Sequence, residues 1–482
     1  MNRANFLQNY QAMTAPLRST LHEQIYARLK HQVTEGTLAP GQRVPSLRAL
    51  ASELGIARGT VEAAYDRLIG EGWLVARGPA GTFVAEGTLS APAATASTVR
   101  KKHALKSAAR ARQPELLRLG LPALDAFPRK LWTRLVTRHA RSAGSLDRPE
   151  PAGHLPLRSA IAAYLQRARG VACDANQVFI VPGYRAALSL AADVVLRAGD
   201  AAWMESPGFP PTAQVLARTG VRLVPVPVDA DGVVVADGIR LAPRARLAVV
   251  TPSHQSPLGV SLAMNRRTAL LAWASAADAW ILEDDYDGEY RYTGHPLPAL
   301  QSLDPHGRVL YAGTFSKVMF PGIRLAYLVV PPAQIDAFQK AAEQSPHGGC
   351  PELYQAVVAE FLSQGHLARH VKKMRALYAR RRNQFVEALA PLERDGLFVE
   401  RRPGGMHLVI RSTRAEADTA IAGRLQAAGF AVQALSTWCA NGRGPQGLLA
   451  GFANVATPAQ ATRIAARMRR AMGAPSLSDQ IP

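Results

Sequence analysis

The sequence predicts an α/β chain in two parts: a short helical module with a two-stranded wing, and a large body built on a mostly parallel sheet. Three observations carry this. Apolar stripes at helical spacing occupy residues 21–69 and are followed by two short strands flanking Gly78-Pro79-Ala80-Gly81. From residue 114 onward, short apolar runs alternate with helical patterns, as strands and their covering helices do in parallel sheets. Between these parts, residues 85–113 are rich in Ala, Ser and Thr and sustain no apolar period.

At 482 residues and 48% hydrophobic composition, the chain has enough apolar material for more than one domain. No apolar run approaches the roughly 20 residues of a membrane span, so no membrane partner is expected. Met1 to Pro16 lacks the apolar core of a signal peptide. Cys173, Cys350 and Cys439 are isolated, with neither metal-ligand spacing nor a disulfide framework, and a reducing cytoplasm is expected. The formal net charge of +21 favours a polyanionic partner. It does not locate one: residues 1–112 hold 15 Lys and Arg against 7 Asp and Glu, and the rest hold 42 against 29. Seven basic residues and no acid between Arg369 and Arg382 read as the solvated face of a helix.

In the module, Leu21, Ile25, Leu29 and Val33 predict a first helix ending near Gly36. Ser46 is the expected N-cap of a second, with Leu47, Leu50 and Leu54 facing inward and Gly55 ending it. A third opens at Ala57-Arg58-Gly59-Thr60 and carries Val61, Tyr65, Leu68 and Ile69 inward. Gly72-Trp73-Leu74-Val75 and Thr82-Phe83-Val84 form the hairpin. Three short helices and a wing make a winged helix-turn-helix. Residues 14–84 are similar to the GntR-type winged-helix family, with Pro45-Ser46-Leu47-Arg48 and Ala57-Arg58-Gly59-Thr60-Val61 at its two motifs. The resemblance implies double-stranded DNA as partner. It puts Arg58 and Thr60 at the start of the recognition helix, and Arg43, Ser46 and Arg48 against the backbone. Ala57 stands where the family usually has a serine. The segment 85–113, with Arg100-Lys101-Lys102, reads as a mobile basic tether.

In the body, spanning 114–475, Val178–Val181 predicts a strand, and Pro182-Gly183-Tyr184-Arg185 opens a helix. A glycine turn at a helix start offers free N–H groups to a phosphate. Met204-Glu205-Ser206-Pro207-Gly208-Phe209 follows another strand, and Leu247–Val250 leads into Thr251-Pro252-Ser253-His254. Trp280-Ile281-Leu282 ends in Glu283-Asp284-Asp285-Tyr286-Asp287, and Val309-Leu310-Tyr311 leads into Gly313-Thr314-Phe315-Ser316-Lys317, with Arg324 beyond. Strand C-termini are where open α/β sheets hold ligands. A pyridine aldehyde with a phosphate needs such a set: a lysine for the Schiff base, a carboxylate for the ring nitrogen, and hydroxyls with an arginine for the phosphate.

This stretch resembles the cofactor site of fold-type I pyridoxal 5'-phosphate (PLP) aminotransferases, most closely in the MocR-type regulators, and the resemblance covers nearly the whole chain. It implies Lys317 as the Schiff-base lysine and Asp284 as partner of the ring nitrogen, with Asp285 the neighbouring alternative. It further implies Tyr286 as donor to the ring hydroxyl and Thr314 and Arg324 as phosphate ligands. Gly183, Tyr184 and Arg185 form the phosphate turn, where the family's usual polar pair is replaced. Phe209 stacks on the ring or packs in the core, and His254 neighbours the cofactor or stabilises its loop. Arg148 stands where a tyrosine reaches the other subunit's phosphate. A homodimer follows, with a cytoplasmic transcription regulator responsive to PLP or an amine effector as the expected function. An active aminotransferase with an accessory DNA module is the alternative. Against that alternative, the strand Gly447 to Phe452 places Leu449 where aminotransferases carry the arginine that clamps a substrate carboxylate. Arg411 and Arg443 are nearby but do not match the pattern.

Overall fold

A computed structural model of the chain describes residues 20–86, 116–142, 147–294, 297–345, 349–442 and 444–473. The chain divides into two compact units, residues 1–111 and 112–482. Most of the predicted tether lies outside the described residues.

The first unit holds α1 (Leu21–Thr34), α2 (Leu47–Leu54), α3 (Arg58–Gly70), β1 (Leu74–Ala76) and β2 (Thr82–Val84). Ile25, Leu29 and Val33 of α1 pack with Leu50, Val61, Tyr65 and Leu68 in one small core. Leu21 begins the helix but stays 48% exposed, because α1 is anchored from its second turn onward. The Ser46 hydroxyl accepts a hydrogen bond from the Ala49 N–H at 3.2 Å, and Gly55 closes α2 in the left-handed conformation. Ala57 precedes α3 with no side-chain cap. The wing pairs antiparallel, Leu74 opposite Val84. This is a winged helix-turn-helix.

The second unit begins with α4 (Arg129–His139) and α5 (Leu155–Arg169). β3 (Val178–Val181), α6 (Tyr184–Val195), β4 (Ala201–Ser206), α7 (Pro210–Leu216) and β5 (Arg222–Asp229) follow. Next come β6 (Gly232–Val233), α8 (Val235–Leu241), β7 (Leu247–Val250), α9 (Met264–Ala276), β8 (Trp280–Asp285) and β9 (Val309–Thr314). After a single turn, α10 (Phe315–Val318), come β10 (Ala326–Val329), α11 (Ile335–Gln344), α12 (Glu352–Ser363) and the long α13 (His366–Leu389). The chain ends in a smaller layer of β11 (Leu397–Glu400), β12 (His407–Ser412), α14 (Asp418–Ala427), β13 (Gln433–Ala434), β14 (Gly447–Gly451) and α15 (Pro458–Ala471).

The large sheet runs β3-β10-β9-β8-β7-β4-β5-β6, and the small antiparallel one β11-β12-β14-β13. Strands β5, β4, β7, β8 and β9 are mutually parallel, while β10 is antiparallel to both β3 and β9. This is the fold-type I transferase architecture. Strands β8 and β9 each run three residues past the apolar runs that predict them. The β8 extension is acidic yet stays in register with that of β9, Asp284 opposite Ala312 and Asp285 opposite Gly313. Each buried carboxylate of β8 except Asp284 has a polar partner. Glu283 accepts from the Leu300 and Gln301 N–H groups, and Asp285 from Arg169 and Tyr311.

At the end of β4, the buried Glu205 carboxylate accepts from the Thr251 N–H and hydroxyl and from Gln255 Nε2. Burial nevertheless pushes its carboxyl up to about 7. Between about pH 4.5 and 7, the native state therefore holds a proton that the unfolded chain has released. The protonated form contributes stability that is full below the unfolded pKa and is lost as pH rises through 7. Glu205→Gln should remove this contribution, on the order of 3 kcal/mol across that window. Its melting temperature should fall less steeply than wild type between about pH 5 and 7 in a calorimetric series; parallel curves would discard the assignment.

Candidate functional site

Strand alternation decides which side chains meet. In β8, Trp280 and Leu282 pack into the core under α6 and α11, whereas Ile281 joins the core on the opposite face. Asp284 continues the first face and therefore opens into a cavity at the sheet's C-terminal edge, while Asp285 turns away. Leu310 and Ala312 of β9 lie on that same face, which brings Thr314 to the cavity as well. Directly after β9, Lys317 lies on the single turn of α10.

The cavity encloses about 530 Å³. Lys317, Asp284, Tyr286 and Thr314 line it, as do Gly183, Tyr184, Arg185 and Arg324 around the N-terminus of α6. Phe209 forms one wall, its ring 5.9 Å from Tyr184 and 5.7 Å from Trp438. His254 does not line the cavity. It stands behind Tyr286, Nδ1 to the phenol oxygen at 3.0 Å, and pairs with buried Asp287 at 3.2 Å. Gln433, Met406, His407 and Trp438 reach the cavity from the small layer, and Gly120 from the segment before α4. None had a local signal in the sequence, because each arrives from a distant part of the chain.

The electrostatics suit a nucleophilic amine. Lys317 Nζ donates to the Gly120 carbonyl at 3.1 Å. Gly120 has φ of +64°, a conformation that favours glycine, and a Cβ there would lie 2.1 Å from Nζ and push the lysine tip aside. Burial lowers the Lys317 pKa, opposed by Asp287 and Asp284, which favours the neutral, reactive form. Asp284 is only 6% exposed and accepts no hydrogen bond among the described residues. Burial and the nearby Asp285 and Asp287 raise its pKa well above the carboxylate range. A buried carboxyl without a partner fits a ligand that brings its own N–H to that point.

PLP fits this donor set. Asp284 would meet the pyridine nitrogen, Tyr286 the ring hydroxyl, and Lys317 the aldehyde. At the other end, the Tyr184 and Arg185 N–H groups begin a helix whose N-cap is Gly183. The Thr314 hydroxyl oxygen accepts from the Ser316 N–H, leaving its proton to donate. Arg324 is held by the Pro182 carbonyl at 2.7 Å, beside Gly183. These groups would form a cradle for the phosphate. Asp285, by contrast, is tied to Arg169 at 2.6 Å and to the Tyr311 hydroxyl at 2.6 Å, both buried.

No cation other than Lys317, Arg185 and Arg324 lines the cavity among the described residues. Leu449 is fully buried, in a cluster with Leu258, Val409 and Trp438 against which Phe209 packs. Arg411 pairs with Glu400 and faces a separate cleft shared with Arg402 and Cys439. Arg443 lies outside the described residues, and Arg148 is exposed and not part of this lining.

In the winged helix, Arg43, Ser46, Arg48 and Arg58 are exposed and Thr60 is half-buried, with Arg58 and Thr60 on the first turn of α3. Arg43 bridges to Phe83, and its guanidinium lies against Gly81 of the wing. Arg58→Ala should weaken operator binding by about 1–3 kcal/mol, the value of one bidentate base contact, with cofactor absorbance unchanged. Fluorescence anisotropy on a footprinted operator reads this; equal affinities would place the reading head elsewhere.

Residues 21–84 match the family model for bacterial regulatory proteins of the gntR family, and residues 126–444 that for aminotransferase class I and II. The probable rhizopine catabolism regulatory protein MocR of Rhizobium meliloti is 39% identical over 90% of each chain. The pyridoxine biosynthesis transcriptional regulator PdxR of Corynebacterium glutamicum is 34% identical over 90% of this chain and 92% of its own. In fold, the kynurenine aminotransferase of Pyrococcus horikoshii matches with a TM-score of 0.68 at 24% identity, covering 81% of this chain and 96% of its own. No described helix is long and apolar enough to cross a membrane.

Proposed function

This chain belongs to the MocR family of transcriptional regulators, a gntR-type DNA-binding module joined to an aminotransferase class I and II body whose cofactor is PLP, and from that premise we propose that the body is a sensor. Occupancy of its cavity by PLP, or by an amine captured at Lys317, sets the DNA affinity of a homodimer. When bound, PLP supplies an aldehyde that captures primary amines. The observation that carries the reading is the pairing of an unpartnered buried acid, Asp284, with a lysine of lowered pKa across one cavity. The cavity wall comes from both the large sheet and the small layer. A ligand there touches both, so it stabilises whichever arrangement of the layers fits it better. Coupling to DNA requires that the two DNA-binding states differ in ligand affinity, by about 1–3 kcal/mol in ordinary allosteric proteins. Operator binding measured without PLP, with PLP, and with PLP plus a panel of amines tests this; identical affinities in every arm reject it.

The apolar wall sets the effector class. An α-amino acid presents a carboxylate, which arginine binds through two parallel charge-assisted hydrogen bonds. Trp438 and Phe209 on the cavity wall supply none, Leu449 is buried behind them, and leaving a carboxylate unpaired beside that wall is costly. PLP itself, or an amine lacking that carboxylate, is therefore the signal, and transamination is slow or absent. Spectral titration with common amino acids should leave the cofactor band largely unchanged, with no turnover when oxo acids are added. Rapid turnover would promote the aminotransferase reading instead.

A further inference from the structure

A second cleft opens at the C-terminal edge of the large sheet, one wall away from the cofactor cavity. It encloses about 390 Å³ between the ends of β4 and β5 on one side and the small layer on the other. Strand alternation in β12 relates the two spaces. His407 lines the cofactor cavity, Val409 is buried in the wall and Arg411 lines the cleft, all on one face of that strand. Leu408 and Ile410, on its other face, pack into the main core. The wall itself is one apolar cluster. Its Leu119, Phe209 and Trp438 line the cofactor cavity, and its Val228, Leu258 and Val260 line the cleft.

The charges of the cleft leave one cation over. Among the described residues, its lining carries two arginines, Arg402 and Arg411, and one acid, Asp229. Asp229 is already taken, because Arg266 donates to both its oxygens, at 2.5 and 2.7 Å. Glu400, opposite Val409 on β11, pairs with Arg411 through Nε and with Arg402 through Nη2. One carboxylate therefore serves two guanidinium groups. Among the described residues, Arg411 makes no hydrogen bond through either terminal nitrogen, and Arg402 Nε is buried without an acceptor. Burial raises the pKa of the Cys439 thiol in the same lining, so it adds no negative charge. An arginine with its two terminal donors open, beside Pro207, Val228 and Val260, suits an anion that carries an apolar body.

We propose that this cleft is a second ligand site, which takes a small monocarboxylate with an apolar body and acts on the cofactor cavity through the shared wall. The carboxylate accepts from the terminal nitrogens of Arg411 and from Arg402 Nε, and the apolar body covers Val228, Leu258 and Val260. A monoanion matches the one cation left over. A neutral molecule would cover guanidinium N–H groups without pairing them, and a dianion would bring a charge that finds no partner. The volume lies within the ordinary range of small-molecule sites. Coupling follows from packing: a ligand in the cleft presses on the cluster that also shapes the cofactor wall, and a close-packed cluster passes the shift on. Binding in the cleft is independent of the sensor reading; only its action on the cofactor cavity rests on PLP being bound there.

The test is isothermal titration calorimetry of the full chain, saturated with PLP, with benzoate as the probe. Saturable binding with a Kd of about 1 mM or tighter is expected, and none for benzamide, the neutral analogue. Arg411→Gln should weaken benzoate at least about tenfold, with a melting temperature near wild type because Glu400 keeps Arg402. Arg411→Lys keeps the charge but loses the planar fork, and it should weaken benzoate as well. Arg324→Gln, altered at the phosphate end of the cofactor cavity, should bind benzoate as wild type does. No binding to the wild type, benzamide binding as well as benzoate, or unweakened binding by both Arg411 variants overturns the site and leaves the cofactor reading intact. Loss in Arg324→Gln alone places benzoate in the cofactor cavity and overturns the site equally. The Kd for PLP, measured with and without saturating benzoate, should differ at least about fivefold, and linkage demands the same factor for benzoate with and without PLP. Benzoate binding without that shift overturns the action through the wall. If the wild type fails to bind PLP, the sensor reading falls, and benzoate titrated into cofactor-free protein still decides the cleft.

Discussion

Lys317→Ala is expected to abolish covalent PLP binding outright and to leave operator affinity indifferent to PLP. Lys317 is the one lysine lining the cavity among the described residues, and the end of β9 delivers it opposite Asp284 and Tyr286. A histidine or arginine cannot replace it, since a primary amine is needed for the covalent bond. Wild-type protein reduced with borohydride after PLP incubation should carry its adduct on the peptide containing Lys317. The variant should show neither adduct nor visible band, while the winged helix still binds operator. An adduct on another peptide, or a variant that keeps its band, moves the site. The two readouts fail separately, because loss of the band with DNA response intact would retain the cofactor site and reject its role as sensor.

Two adjacent aspartates should respond in opposite ways. Asp285→Ala leaves the buried Arg169 guanidinium without its carboxylate, and removing one partner of a buried pair costs about 3–5 kcal/mol. Its melting temperature should fall sharply even without cofactor. Asp284→Ala removes a buried acid that has no partner, so cofactor-free protein should melt near or above wild type. Its loss appears only with PLP: the ring nitrogen loses its counter-charge, and affinity should drop by at least about a hundredfold, roughly 2.7 kcal/mol. Thermal melts with and without PLP distinguish the four cases. The reverse pattern, with Asp285→Ala stable and PLP-deficient, would exchange the two roles.

The sequence alone determined the two-part architecture and the chemical inventory of the site. Helical spacing, the Ser46 cap and Gly55 are local signals, and they specify the winged helix because each residue acts on its own backbone. Alternating strand and helix patterns likewise exposed the body, and the Lys317 and Asp284 stretches were legible because both lie at ends of adjacent strands. The choice between Asp284 and Asp285 was not legible: one residue of register turns a side chain to the other face, and only the packed sheet shows which face is covered by Arg169 and which opens on the cavity. The same limit hid Gly120, His407 and Trp438, which reach Lys317 through the packing of separate layers. It also hid the division of the basic run on α13. Seven like charges in sequence look uniform, and only the packed fold shows that Arg381, Arg382 and Arg375 take tertiary partners.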